Sequence, residues 1–145
     1  MSNNIEKNYI YKNDTIHIYI DEIKKILYVD VVDGNYNKKN FEDAIEYYKN
    51  FWILMNNSNI LYNQIFIFNN CKIYPLEFYD TVFKTLKSLE TIFKENLIES
   101  YLINNSNAID ILKPILNLYK AVKPFYFIKN ISEVKILNDK KTMLI

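Results

Sequence analysis

Ile65-Phe66-Ile67-Phe68 sets four apolar residues in unbroken succession. A strand with one wet face alternates apolar with polar. A run without polar partners suits a strand buried on both faces, as in parallel sheets whose crossovers cover them with helices. Parallel neighbours cannot be joined by a tight turn, so a central parallel strand here requires helical segments before and after it.

Both are legible. Upstream, Phe41, Ala44, Ile45, Tyr48, Trp52 and Met55 recur at helical spacing, with Glu42, Asp43, Glu46 and Lys49 on the other side. Asn40 is a good N-cap, placing Glu42 and Asp43 in the first turn, and Asn56-Asn57-Ser58-Asn59 ends the helix. Downstream, Pro75 suits the first turn of a second helix running to about Glu95. Its buried stripe is Phe78, Val82, Leu86, Leu89 and Phe93, and its solvated face Lys84, Lys87, Glu90, Lys94 and Glu95.

Further out, Ile98-Glu99-Ser100-Tyr101-Leu102-Ile103 reads as another strand. A third helix carries Ile111, Ile115, Leu118, Tyr119 and Val122, kinked or restarted at Pro114 and closed by Lys123-Pro124. A last short strand is expected within residues 133–137. At the other end, residues 15–20 alternate and are rich in β-branched and aromatic types. Residues 21–25 make a turn, residues 26–32 a second strand, and Asp33-Gly34-Asn35 breaks it. The expected order is ββαβαβαβ: one α/β domain over residues 1–145, with a mixed, mostly parallel sheet, an N-terminal β-hairpin and three main helices. Residues 1–13 are polar and expected to be flexible.

Composition restricts function. A 145-residue chain that is 50% hydrophobic can bury a core without a disulfide or metal staple. A net charge of +1 disfavours a general nucleic-acid binder. All basic residues are Lys, so bidentate guanidinium clamps are excluded. The abundant Asn, Ile, Lys and Tyr follow from an AT-rich genome. Cys71 is the single cysteine and suggests a reducing compartment. With no signal-peptide pattern and no membrane-length apolar run, the expected location is the cytoplasm, or the host cytoplasm for a viral protein.

Two stretches carry a family resemblance: Ile98-Glu99-Ser100-Tyr101-Leu102-Ile103-Asn104, a strand ending in Asn, and Tyr119-Lys120-Ala121-Val122-Lys123-Pro124-Phe125, a helix closing in a Lys-Pro-Phe corner. Together with the element order they resemble divergent CRAL-TRIO (Sec14-like) domains and the related STAS (SpoIIAA-like) fold, most closely over residues 63–137. That resemblance implies a protein or lipid partner. Regulatory STAS proteins carry a phosphorylatable Ser after the third strand. Tyr74-Pro75-Leu76-Glu77-Phe78 has no hydroxyl except that of Tyr74, so no phosphoserine switch is expected.

Catalytic signals are sparse. Gly34 is the single glycine, which excludes the usual phosphate-cradling loops. His17 is the single histidine, and no metal-ligand spacing surrounds it. Cys71 lacks a second His to activate it, and Asp30 and Asp33 are too few for an oxygen-ligand cation site. No cofactor and no metal are expected.

Two aromatic groups remain. Trp52, Phe66, Phe68, Phe78 and Phe83, with Phe51 and Tyr79, would line a lipid pocket if the space between sheet and helices were open. Tyr119, Lys123, Phe125 and Tyr126, with Phe127, Lys120 and Lys129, would form a partner or membrane contact. The expectation is a non-enzymatic binding module acting through a protein partner or self-association. The alternative is a small lipid-binding or lipid-transfer protein.

Overall fold

The computed structural model describes residues 8–31, 37–68, 76–104, 119–130 and 132–133. They build one six-stranded sheet in the order β1-β2-β3-β4-β5-β6: β1 (Asn8–Lys12), β2 (Ile16–Asp21), β3 (Ile26–Val31), β4 (Tyr62–Ile67), β5 (Leu97–Ile103) and β6 (Phe125–Ile128). The first three pair antiparallel and the rest parallel. Helix α1 (Lys38–Met55) joins β3 to β4. Helices α2 (Leu76–Ser88) and α3 (Glu90–Asn96) join β4 to β5. The expected mixed α/β sheet with an N-terminal hairpin is what forms.

Several boundaries differ, each for a local reason. Residues 8–12, expected to be flexible, form edge strand β1. The turn into β2 is tied by Asn13, whose Oδ1 accepts from Thr15 N and Ile16 N, both at 2.8 Å. Helix α1 starts earlier than expected. Its cap is Asn37, whose Oδ1 accepts from Asn40 N at 2.9 Å. Asn40 lies inside the first turn and bonds outward to the hairpin, its Nδ2 donating to Thr15 Oγ1 at 3.3 Å. Glu42 and Asp43 therefore fall beyond the first turn.

The expected second helix is two. Leu89 N donates to Leu86 O at 3.2 Å, and Leu89 adopts φ −100°, ψ 4°. The break lets Leu86, Leu89 and Phe93 all reach the core. A strand that was not expected, β6, is bonded in parallel to β5 from Ser100↔Phe125 to Ile103↔Ile128. Glu133 belongs to a helical turn. Residues 134–137, the third helix through Leu118 and the break at Asp33-Gly34-Asn35 lie outside the described residues.

The main core lies between the helices and one sheet face. Ile16, Ile18, Leu27, Val31, Phe66 and Leu102 meet Phe41, Ala44, Tyr48, Trp52, Phe78 and Phe93 there. The opposite face buries a smaller cluster of Ile26, Ile65, Tyr101, Ile103 and Ile128. Residues 62–66 of β4 are all buried, as a central parallel strand requires. Gln64 is tolerated inside because it is satisfied: it accepts from Tyr48 Oη at 2.5 Å and donates to Ser100 Oγ at 2.8 Å.

Candidate functional site

Of the sequence-derived catalytic candidates, the described residues bring two together. His17 and Asp30 face each other across β2 and β3 on the sheet face away from the helices, and the His17 ring meets the edge of Tyr9 at 5.6 Å. Cys71 and Asp33 lie outside the described residues. Among the described residues no three His, Cys, Asp or Glu side chains gather as metal ligands.

The same face carries a row that sequence reading missed. Tyr9, Tyr19, Tyr28, Ile65, Tyr101 and Tyr126 stand in register across all six strands. Tyr19 stacks on Tyr28 at 4.8 Å, and Tyr101 on Tyr126 at 5.4 Å. Burial and the nearby Asp30 carboxylate raise the Tyr19 phenol far above its usual range. Glu99 is also fully buried, and burial lifts its carboxyl above the ordinary range. The bulge where β5 pairs with β4 accompanies this placement, with Tyr62↔Leu97 followed by Gln64↔Ser100.

The first aromatic group divides. Trp52 is fully buried between Phe51 and Phe93, with ring centroids at 5.3 and 5.1 Å. Phe66, Phe68 and Phe78 do converge, with Val82 and Leu86, on two adjoining cavities, and Phe83 joins them in the second. The cavities measure about 50 and 30 Å³. A small-molecule pocket typically has ~300 Å³ or more, so neither of these two cavities has room for an acyl chain.

The second group divides as well. Tyr119 is buried against Phe83 at 6.3 Å, and burial pushes its phenol up to about 12. Phe125 points to the helical side and stacks on Phe66 at 6.1 Å. Tyr126 points to the opposite face, as neighbours on a strand must. Lys123 is half-buried beside Phe93, Leu97 and Phe125. Tyr119, Lys123 and Phe125 thus share the helical side, where they line one small cleft, while Tyr126 lies on the other face.

An exposed apolar group instead lies at the end of the sheet where the parallel strands begin. Ile23, Ile53, Leu54, Ile60 and Leu61 are 95%, 51%, 79%, 40% and 49% exposed. Three short segments at that end carry them: the β2–β3 turn, the end of α1, and the loop into β4. Asn63 N donates to Lys25 O at 3.0 Å, and Lys25 Nζ lies 5.7 Å from the Tyr62 ring centroid, fixing the turn beside the start of β4. The buried Asn96 side chain holds the loop. Its Nδ2 reaches Ile60 O at 2.9 Å and both Ser58 O and Ser58 Oγ at 3.2 Å. Asn57 turns the chain with φ 65°, a left-handed conformation that Asn tolerates. The sequence signal was there: Ile53 and Leu54 lie off the buried stripe of α1, and Ile23 sits within a charged turn.

No protein-family model and no curated protein matches this chain. Its structure is similar to the crystal structure of apo-SiaC from Pseudomonas aeruginosa, with a TM-score of 0.54 over 87% of this chain and 100% of that one. The two are 11% identical, so what they are shown to share is a fold.

Proposed function

We propose that this chain is a non-enzymatic module that binds protein through the end of its sheet where the parallel strands begin. The observation that carries the reading is the exposed aliphatic group Ile23, Ile53, Leu54, Ile60 and Leu61, displayed on a turn and a loop that hydrogen bonds hold in place. The largest exposed apolar patch on a monomer is often its functional surface. The separation of His17 and Asp30 from the buried Glu99, and the absence of a metal-ligand cluster among the described residues, support a binding role over a catalytic one.

The antiparallel β2–β3 hairpin directly before α1 and the alternation after it support the resemblance to divergent CRAL-TRIO and STAS-like domains, for which protein partners are implied. No described helix is long and apolar enough to cross a membrane. The single Cys71 supports a reducing compartment such as the cytoplasm.

The lipid-carrier reading is weaker because the cavities of about 50 and 30 Å³ are too small for an acyl chain. Native and denaturing mass spectra of the purified protein, with organic extraction of the same sample, test the choice. The module should carry no stoichiometric lipid and should appear as a homo-oligomer or with a co-purifying chain. A lipid at near one-to-one ratio would sink the reading in favour of the carrier.

A further inference from the structure

We infer that the larger cavity between the sheet and helices α1 and α2 is a binding site for one small apolar molecule, larger than a water and smaller than benzene. It lies where ligands collect in open α/β sheets, at the carboxyl ends of parallel strands. Val31 ends β3, and Phe68 follows directly on the end of β4; both line the cavity. Phe41, Ala44 and Tyr48 from the first part of α1, and Phe78 from the first turn of α2, line its helical side. Ile53 and Leu54 of the exposed aliphatic group lie at the other end of α1, so this site stands apart from the surface proposed above.

The lining decides the chemistry of the guest. From the sheet, Ile16, Ile18, Val31 and Phe66 present only carbon. Among the described lining residues two carry hydroxyl groups, and both hydrogens are already given. Tyr48 Oη donates to Gln64 Oε1 at 2.5 Å, and Thr85 Oγ1 donates to the Thr81 carbonyl at 2.8 Å. A buried water typically makes about three hydrogen bonds. These side chains keep no donor for its oxygen, so the space favours an apolar guest over water.

Volume sets its size. The cavity measures about 50 Å³, and a water's share of the liquid is ~30 Å³, so one molecule somewhat larger than a water fits. The adjoining cavity measures about 30 Å³, and Phe66, Phe68, Phe78, Val82 and Leu86 line both. Benzene enters an apolar space of ~150 Å³, so neither cavity admits it while the Phe78 ring is in place. Phe78 thereby sets the upper limit on the guest. Of the described residues that line the larger cavity, only Val29, Ile45 and Val82 are half-buried rather than buried. A guest enters past Ile45 and Val82, between α1 and α2.

Xenon, an apolar atom that forms no hydrogen bond, is the probe. Methyl NMR spectra of the full chain under rising xenon pressure should show saturable shifts at Ile16, Ile18 and Val31. The methyl groups of Ile103 and Ile128, buried on the opposite sheet face, should not saturate. Ala44→Val adds two methyl groups to the wall and should abolish the saturable response. Val82→Leu enlarges a half-buried side chain, where crowding can be relieved toward solvent, and should weaken xenon binding severalfold. Leu54→Asp, in the exposed aliphatic group, should leave xenon binding unchanged. Far-UV circular dichroism and urea midpoints like the wild type's would show that the variants fold.

Shifts at Ile16, Ile18 and Val31 that only grow linearly with pressure overturn the proposal. So do saturable shifts that survive both Ala44→Val and Val82→Leu, which would place the xenon elsewhere. Magnetisation transfer from a long-lived water to these methyl groups would assign the space to ordered water and overturn it too. A wild type that takes up benzene as readily as xenon would overturn the limit assigned to Phe78.

Discussion

Replacing Asn96 should loosen the loop that displays Ile60 and Leu61. Its side chain is fully buried, and its Nδ2 reaches three acceptors: Ile60 O at 2.9 Å, and Ser58 O and Ser58 Oγ at 3.2 Å each. An amide nitrogen has two hydrogens, so three contacts amount to two hydrogen bonds, one of them shared. At ~1 kcal/mol net for each bond, Asn96→Ala should cost about 2 kcal/mol. Asn96→Asp is nearly the same size but turns a donor into a buried carboxylate facing three oxygens, which should cost about 3–5 kcal/mol.

Urea unfolding followed by far-UV circular dichroism reads both. With an m-value of ~2 kcal/mol/M, the midpoint should fall by about 1 M for Asn96→Ala and by more for Asn96→Asp. The introduced carboxylate would have a folded-state pKa above its unfolded one. Its penalty should therefore ease as pH falls toward the unfolded value and grow as pH rises above it. A midpoint change under ~0.2 M for Asn96→Ala, or Asn96→Asp no worse than Asn96→Ala, would refute the assignment of Asn96 as the clamp.

Burial raises the Glu99 carboxyl above its ordinary value, so the folded state binds that proton more tightly. Its contribution is most favourable below about pH 4.5 and is lost as pH rises through the folded-state value. Glu99→Gln should raise stability at pH 7 and flatten this part of the profile, as urea midpoints at pH 4 and pH 7 would show; an unchanged pH slope would contradict it. The Tyr48–Gln64–Ser100 chain predicts that Tyr48→Phe and Gln64→Leu each cost about 1–3 kcal/mol. A double-mutant cycle between them should show coupling above ~0.5 kcal/mol, and additive costs would deny the shared bond. Phe78 lines both small cavities. Phe78→Ala should destabilise by about 3–5 kcal/mol and open an apolar space on the order of 150 Å³, large enough for benzene. Saturable protection of the variant's melting temperature by benzene, absent in the wild type, would verify the cavity, and equal responses would argue against it.

The sequence by itself determined the layered α/β plan. Ile65-Phe66-Ile67-Phe68 could be satisfied only by burial on both faces, and the stripes beginning at Phe41 and Phe78 could be buried only against a sheet. These are local patterns, readable because side chains repeat every two residues in a strand and every 3.6 in a helix. Where a distant partner decided, sequence reading slipped. Asn37 rather than Asn40 caps α1 because Asn40 is engaged with Thr15. Residues 8–12 form a strand because β2 offers them an edge. Gln64 sits in the core because Tyr48 and Ser100 meet it there.

The aromatic groups were visible as residue types, but their roles were not. Phe125 and Tyr126 are adjacent in sequence, yet pairing with β5 sends them to opposite faces. The candidate interaction surface needed the tertiary structure most. Ile23, Leu54 and Ile60 come from three separate segments, and only the parallel pairing of β3 with β4 and the hold of Asn96 on the loop set them at one end of the molecule. A chain's periodicity records which face of each element is buried. Which exposed residues become neighbours depends on contacts between segments far apart in sequence.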